Sequence, residues 1–329
     1  MQEISVVAGI DVGGFTTEIG LVDAFGTCFE KCILTTSEFT EVNEFVKQCL
    51  KAINQLKNES RENLAIKAIG IGAPNANFYR GTIEYPVNLS WKGIIPFVKL
   101  FNQNTELPVA LTNDANAAAI GEKLFGGAKK MDNFLSLTLG TGLGSGIYTN
   151  GKIVHGHQGF AGEMGHIIMH ENGRMCGSGI RGCLEAYVSA EGIKRTIYYM
   201  LSDSKQNSEF RDITFNNLTG EQITQAAENG DTIAIKAFEY TAAILGKKLA
   251  DIVSILDPEA IFFGGGLARA GDLLLAPAKI AMEENLLPVF KNKIKLQISE
   301  LLDKNSAILG ASALGWDLVI NKKKIKPIL

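Results

Sequence analysis

Apolar residues fall into two alternating rhythms along this chain, one of strands and one of helices. "SVVAGIDVGG" is an apolar run that stops at a glycine pair, and "FTTEIGLVDAFG" follows with strand-like content and a turn at its own end. Together they predict a β-hairpin. "CFEKCILTT" predicts a third strand, and Cys28 and Cys32 share one face of it. From Thr40 to about Leu56, Val42, Phe45, Val46, Cys49, Leu50 and Ile53 recur at the spacing of one helix face. Strand and helix then alternate through "IKAIGIGAP", "IIPFVKLFNQN", "PVALTND" and "ANAAAIGEKLFG". That is the pattern of an α/β unit.

The pattern then restarts. "NFLSLTLGTGLGSGIYTNGKIV" reads as two strands joined by a glycine-rich turn, like the opening hairpin, so a duplicated α/β unit is expected. A loop-rich stretch from Val154 to Cys183 precedes several helices, the longest from about Ile233 to Leu256. "DPEAIFFGGGL" is a strand entering a triple glycine, and "SAILGASALGWDLVI" is a final helix. The expected architecture is two α/β lobes around a central cleft. Residues 1–114 with 313–329 form the first lobe and residues 115–312 the second, the last helix packing back on the first.

Composition narrows the function classes. A chain of 329 residues, 46% hydrophobic and 20% charged, is long enough for two buried cores. Its formal net charge of -3 lacks the basic excess of a phosphate-backbone binder, and the cluster "NKKKIKP" reads as a solvated tail. No nucleic-acid partner is expected. The N-terminus has no basic leader, and no apolar run approaches the roughly 20 residues of a spanning helix, so no membrane association is expected either. Five cysteines do not suggest a disulfide framework, which places the protein in a reducing cytoplasm.

Candidate chemistry gathers at the strand ends. In "DVGGFTTEIG", the turn at Gly13 and Gly14 can bring backbone N–H groups to a phosphate, Thr16 and Thr17 offer hydroxyls, and Asp11 can hold a hydrated Mg²⁺; an ordinary hairpin turn reads the same way. "LTLGTGLGSGIY" repeats the device with Gly140, Thr141, Gly142 and Gly144. Neither is a P-loop or a Rossmann turn opening a helix. Bare Gly264, Gly265 and Gly266 at a strand end can let an adenine or ribose lie on the backbone. Asn113 and Asp114 close a strand where a helix begins; Asp114 suits a helix N-cap and also a base that takes a proton from a substrate hydroxyl. Glu163, His166, Glu185 and Asn113 suit a polyhydroxylated ligand such as a sugar, with a metal site as the competing reading.

With "DVGG", "TNDANAAA", "LGTGLGSG", "GEMGH", "GCLEAY" and "FFGGGL" in this order, the chain resembles the ROK family of repressors, open reading frames and sugar kinases, and within it the bacterial glucokinases. The resemblance implies an actin-like, RNase H-like ATPase fold and transfer of the γ-phosphoryl group of ATP, with Mg²⁺, to a sugar hydroxyl, usually O6 of glucose. It implies that Asp114 is the general base and that Asn113, Glu163, His166 and Glu185 bind the sugar, with Asn88 also within reach. Phosphates fall to Gly13, Gly14, Thr16, Thr17, Gly140, Thr141, Gly142 and Gly144, and adenosine to Gly264, Gly265 and Gly266. A homodimer is the expected assembly. Kinases for N-acetylmannosamine or N-acetylglucosamine and sugar-sensing repressors share the resemblance; since the first phosphate motif begins at Asp11, with no helix-turn-helix before it, a kinase is expected.

Two positions depart from the family. Phe15 stands where a threonine or serine is usual, removing a hydroxyl from the first turn. In "GRMCGSGIRGCLEAY", Cys176, Ser178 and Cys183 occupy three positions that, with His166, correspond to the family's structural zinc ligands. Serine is a poor fourth ligand. A zinc-free loop supporting Glu185 is therefore expected.

Overall fold

The structure, a computed structural model, describes residues 2–320, so the basic run "NKKKIKP" and the end of the expected 313–329 segment lie outside the described residues. The chain divides into two compact units: residues 1–130, 153–161 and 300–329, and residues 131–152 and 162–299.

In the first unit, β1 (Ile4–Val12), β2 (Thr16–Val22) and β3 (Cys28–Thr35) form an antiparallel meander. The amphipathic helix α1 (Val42–Glu59) buries Phe45, Val46, Cys49 and Ile53 and leads to β4 (Leu64–Ala73), which pairs parallel with β1. The short strands β5 (Ala76–Asn77), β6 (Thr82–Glu84) and β7 (Ile94–Ile95) make a small separate sheet. They are too short to carry a readable period, and β7 takes the first residues of the expected "IIPFVKLFNQN" helix. Pro96 then stands just before α2 (Phe97–Asn102), at its N-cap position. β8 (Val109–Asn113) completes the sheet order β3-β2-β1-β4-β8, and α3 spans Asp114–Leu124.

In the second unit, β9 (Phe134–Leu139) and β10 (Leu143–Thr149) form the second hairpin, followed by β11 (Lys152–Ile153). Helices α4 (Glu185–Val188), α5 (Ala190–Ser202), α6 (Gly220–Glu228) and α7 (Thr232–Leu256) precede β12 (Ala260–Gly264), α8 (Asp272–Asn285) and β13 (Lys295–Ile298). The sheet order β11-β10-β9-β12-β13 repeats that of the first unit, so the expected duplication is present.

The units divide at Lys130 and Met131 rather than at Asp114. The reason is packing. The C-terminal helix Ser306–Ile320 lies on the first sheet and against α3, so α3 stays with that sheet. Gly20, Gly9 and Gly70 stand side by side across β2, β1 and β4. A Cβ on Gly9 or Gly70 would overlap the carbonyl oxygens of Ile308 or Ala311. On its other side, Gly310 meets the backbone of α3, with Ala117 O at 2.7 Å from where a Cβ would stand.

The segment 153–161 also belongs to the first unit. His155 is buried and stacks on Phe78 with ring centroids 4.1 Å apart, while Asn77 Nδ2 donates to Gln158 O at 2.7 Å. Among the described residues, no helix is long and apolar enough to cross a membrane.

Replacing Gly70 by valine is expected to destabilise the chain by about 1–3 kcal/mol or more through overpacking against the C-terminal helix. Gly220→Ala, where a Cβ meets open space, is the control and is expected to be neutral or slightly stabilising. Denaturant unfolding reads both.

Candidate functional site

Strands β1, β4 and β8 run parallel, and their C-terminal ends hold the acidic candidates of the first unit. Asp11 stands opposite Gly72, and Ala73 opposite Asn113. Where Gly72 would carry a Cβ, Asp11 Oδ1 lies 3.5 Å away and Asp114 Cα 3.7 Å, so the bare position lets the two acids approach. Burial, then the neighbouring Asp114 and Glu18, push the Asp11 carboxyl up to about 7. Asp114 is also raised, chiefly by burial, and partly restored by hydrogen bonding to backbone N–H groups. Protein crowds around its carboxyl, yet the residue keeps an open face to solvent.

The capping role that suits Asp114 in the sequence falls instead to Asn113. Asn113 Oδ1 accepts from Ala115 N at 2.8 Å and Asn116 N at 3.3 Å, and Asp114 becomes the first residue of α3. Asp114 Oδ1 accepts from Ala115 N at 2.7 Å. A carboxylate at a helix N-terminus also gains from the helix dipole.

In the first glycine turn, Gly13 N donates to Thr16 O at 2.9 Å, closing the turn. Gly14 is bare because the backbone carbonyl of Asn88 packs against it, which places Asn88 beside this turn. Phe15 is 71% exposed. Thr16 is exposed, but Thr17 is fully buried and its hydroxyl is 2.7 Å from that of Thr36. Thr17 is therefore withdrawn from the phosphate candidates: successive strand residues face opposite sides, and it faces inward.

The second turn repeats this arrangement with different chemistry. Gly140 N donates to Gly142 O at 3.0 Å. A Cβ on Gly142 would overlap the Glu185 carboxylate, whose Oε2 accepts from Leu143 N at 3.0 Å. Gly142 thus makes room for Glu185. Thr141 is exposed, Gly140 faces open space, and Gly144 lies within β10 opposite Thr138. At the end of β12, Gly264 stands opposite Thr138. Gly265 needs its φ of 83° to pass the backbone of Leu139, and Gly266 again faces open space. The second turn and the triple glycine are therefore neighbours.

Glu163, His166 and Glu185 belong to the same unit. His166 Nε2 lies 3.9 Å from Glu163 Oε2, and its Nδ1 faces Cys176 Sγ at 3.9 Å. Cys176 Sγ is 3.1 Å from Cys183 Sγ and 3.0 Å from Ser178 Oγ. Burial raises both thiols, but hydrogen bonding with Ser178, Cys183 and His166 outweighs it at Cys176 and holds it below the usual thiol range, while Cys183 is pushed up. The donor atoms of His166, Cys176 and Cys183 converge within 4.8 Å. With a hydroxyl, Ser178, where a fourth nitrogen or sulfur donor is needed, the set does not complete the ligands of a closed structural zinc.

Sequence reasoning overlooked Arg174. It ties this loop to α4 and α5 of the same unit through several hydrogen bonds. The available signal was an arginine placed in a glycine-rich loop just ahead of an apolar helix.

The duplicated sheets, the glycine turns and the strand-end carboxylates define the class. The ROK family model matches residues 7–317, and the chain belongs to that family. It is 33% identical to a glucokinase of Halalkalibacterium halodurans, over 94% of this chain and 93% of that protein. It is 30% identical to a xylose repressor of Caldicellulosiruptor bescii, over 95% of this chain and 78% of that protein. Among solved structures, a ROK family glucokinase from Streptomyces griseus in complex with glucose and AMPPNP superposes with a TM-score of 0.79 at 30% identity, covering 95% of this chain and 99% of that one. The actin-like α/β fold class expected from the sequence is thereby borne out.

The raised Asp11 carboxyl has a consequence for stability. Its folded-state pKa lies above the unfolded value, so the folded chain binds more protons between about pH 4 and 7. Metal-free protein is expected to lose Asp11's contribution to stability as pH rises through that window. In Asp11→Asn this part of the pH dependence of Tm disappears, which thermal denaturation across the pH series reads.

Proposed function

We propose that this ROK family member is an ATP-dependent hexose kinase that phosphorylates glucose at O6 by in-line transfer, with Asp114 as general base. The observation that carries the reading is the Asp114 carboxylate: it stands at a strand end, open to solvent, and burial raises its proton affinity. A carboxylate so tuned is better suited to accept a hydroxyl proton than an ordinary one.

The remaining roles follow from what each group has left to offer. Asn113 spends its Oδ1 on the helix cap, so its amide N–H groups are the ones it can give a sugar oxygen. Glu163, His166 and Glu185 are the proposed partners of sugar hydroxyls in the second unit, and Asn88 a further one in the first. Thr16, Thr141 and the unspent N–H groups of the two turns are proposed for the phosphates, with Gly264 and Gly266 beside adenosine. Asp11 is the proposed Mg²⁺ holder: a buried carboxylate next to a second one favours a cation. When bound, the ion neutralises charge on the phosphates. The chain's own contribution is to align the hydroxyl and take its proton at Asp114. The proposal places this chemistry in the cytoplasm and in a homodimer, the latter read by light scattering.

The test is ADP release with MgATP against glucose, mannose, fructose, N-acetylglucosamine and N-acetylmannosamine. Glucose is expected to be preferred, and Asp114→Asn to lower kcat about 10²–10⁴-fold with little change in KM. Preference for an acetamido sugar would keep the chemistry and change the substrate. Absence of turnover on every sugar by folded protein would overturn the kinase reading and favour a sugar-sensing regulator; one relative is named a xylose repressor.

A further inference from the structure

The cysteine loop must present Glu185, and α4, which begins at Glu185, is only four residues long. A helix of one turn does not hold itself in water. Leu143 N fixes one carboxylate oxygen, the backbone that carries Glu185 needs support from outside, and the donor set of His166, Cys176, Ser178 and Cys183 does not complete the metal site that would serve. The contacts around Arg174 supply the alternative. Its Nη1 donates to Thr196 Oγ1 at 2.9 Å, to Gly192 O at 3.1 Å and to Ala186 O at 3.4 Å. The guanidinium lies over the Tyr187 ring, 4.7 Å from its centroid, and 5.9 Å from that of Tyr240 on α7. Arg174 N donates to Tyr187 Oη at 3.0 Å, and Gly173 is bare where that hydroxyl passes. Tyr187 is buried two residues after Glu185, and Ala186 is its immediate neighbour.

The loop's other strand is tied to the His166 segment. Leu184 N donates to Ile167 O at 2.9 Å and Met169 N to Gly182 O at 2.7 Å. Arg174 thus joins the loop to α4, α5 and α7, while the backbone bridge couples the neighbours of Glu185 and His166.

We propose that Arg174 is the positioning residue of the sugar site in this chain: its clamp on Ala186, Tyr187, Gly192 and Thr196 holds Glu185 in place without a metal. The proposal rests on the sugar-site role given to Glu185 above. A guanidinium suits the task because Nη1 donates to these acceptors while its plane stacks on the Tyr187 ring; a lysine ammonium can donate but has no plane to stack.

Zinc content and Tm are measured first, since neither depends on sugar turnover. The purified full chain is expected to hold well under one zinc and to keep its Tm in dipicolinate. Ser178→Cys, which supplies the fourth ligand, is expected to take up one zinc and to become chelator-sensitive. Arg174→Met and Arg174→Lys are expected to raise the sugar KM about tenfold or more, as loss of hydrogen bonds from a charged group implies, with the ATP KM unchanged. Amide exchange at Tyr187, Val188 and Ser189 should quicken in both. In Arg174→Met combined with Ser178→Cys, added zinc should restore the low sugar KM, which a general loss of stability would not allow.

One zinc per wild-type chain with a Tm that collapses on chelation would overturn the proposal. So would Arg174→Lys and Arg174→Met chains that keep the wild-type sugar KM and amide exchange. If no sugar is turned over by any variant, the kinase reading fails, and zinc content, Tm and amide exchange still decide whether Arg174 or a metal holds the loop.

Discussion

The close seating of the C-terminal helix on the first sheet is the constraint from which the acidic site follows. Gly9 and Gly70 face each other across β1 and β4, and their missing side chains let the helix backbone lie almost on the strands. Two residues further along the same strands come Asp11 and Gly72, also paired, and on the same face because strand side chains alternate. There the covering element is α3, which meets the C-terminal helix at the Gly121 and Gly310 contact. Asp114 begins that helix. A single face of β1 and β4 therefore fixes the depth of the C-terminal helix, the position of α3, and the approach of one carboxylate to the other.

The duplicated hairpins show a second economy. In each turn the first glycine closes the loop by its own N–H, and a later glycine is bare to admit a group from elsewhere in the same unit: the Asn88 carbonyl at Gly14 and the Glu185 carboxylate at Gly142. The glycine-rich spelling thus has two causes. Some positions leave open space, as at Gly140 and Gly266, whereas others are filled by protein. On the proposed function, the Glu185 carboxylate beside Gly142 and Leu143 repels a phosphate from that side of the second turn and leaves the Gly140 and Thr141 side as the better electrostatic choice.

Much of this was legible in the sequence, and the misses are informative. The hairpins, the alternating strands and helices and the duplication follow from periodicity. The unit boundary does not: Asp114 looks like the start of a new lobe because a strand ends there, but the helix after it is claimed by a helix almost two hundred residues later. Thr17 was readable after all, since alternation along β2 sends Thr16 outward and Thr17 inward to Thr36. The choice of Asn113 over Asp114 as N-cap turns on a one-residue shift in the helix start that pattern reasoning does not resolve. The setting of Arg174 in a glycine-rich loop was readable, but its partners, Thr196 and Tyr240, belong to helices whose packing a single sequence does not disclose.

Asp11 and Asp114 also stand in different environments. Burial raises both, but they are not equivalent. Asp11 lies in a central strand with two acidic neighbours, Asp114 and Glu18, so its ionised form gains most from an added cation. Asp114 lies at a helix N-terminus, takes a backbone hydrogen bond, and keeps one side open to solvent. Those features favour its ionised form and leave it reachable by a ligand hydroxyl, as a base requires. Environments that treat neighbouring carboxylates differently are how one site divides its work between them. On the proposed function, that division gives charge binding to Asp11 and proton transfer to Asp114, and the burial and hydrogen bonding of the two groups support it.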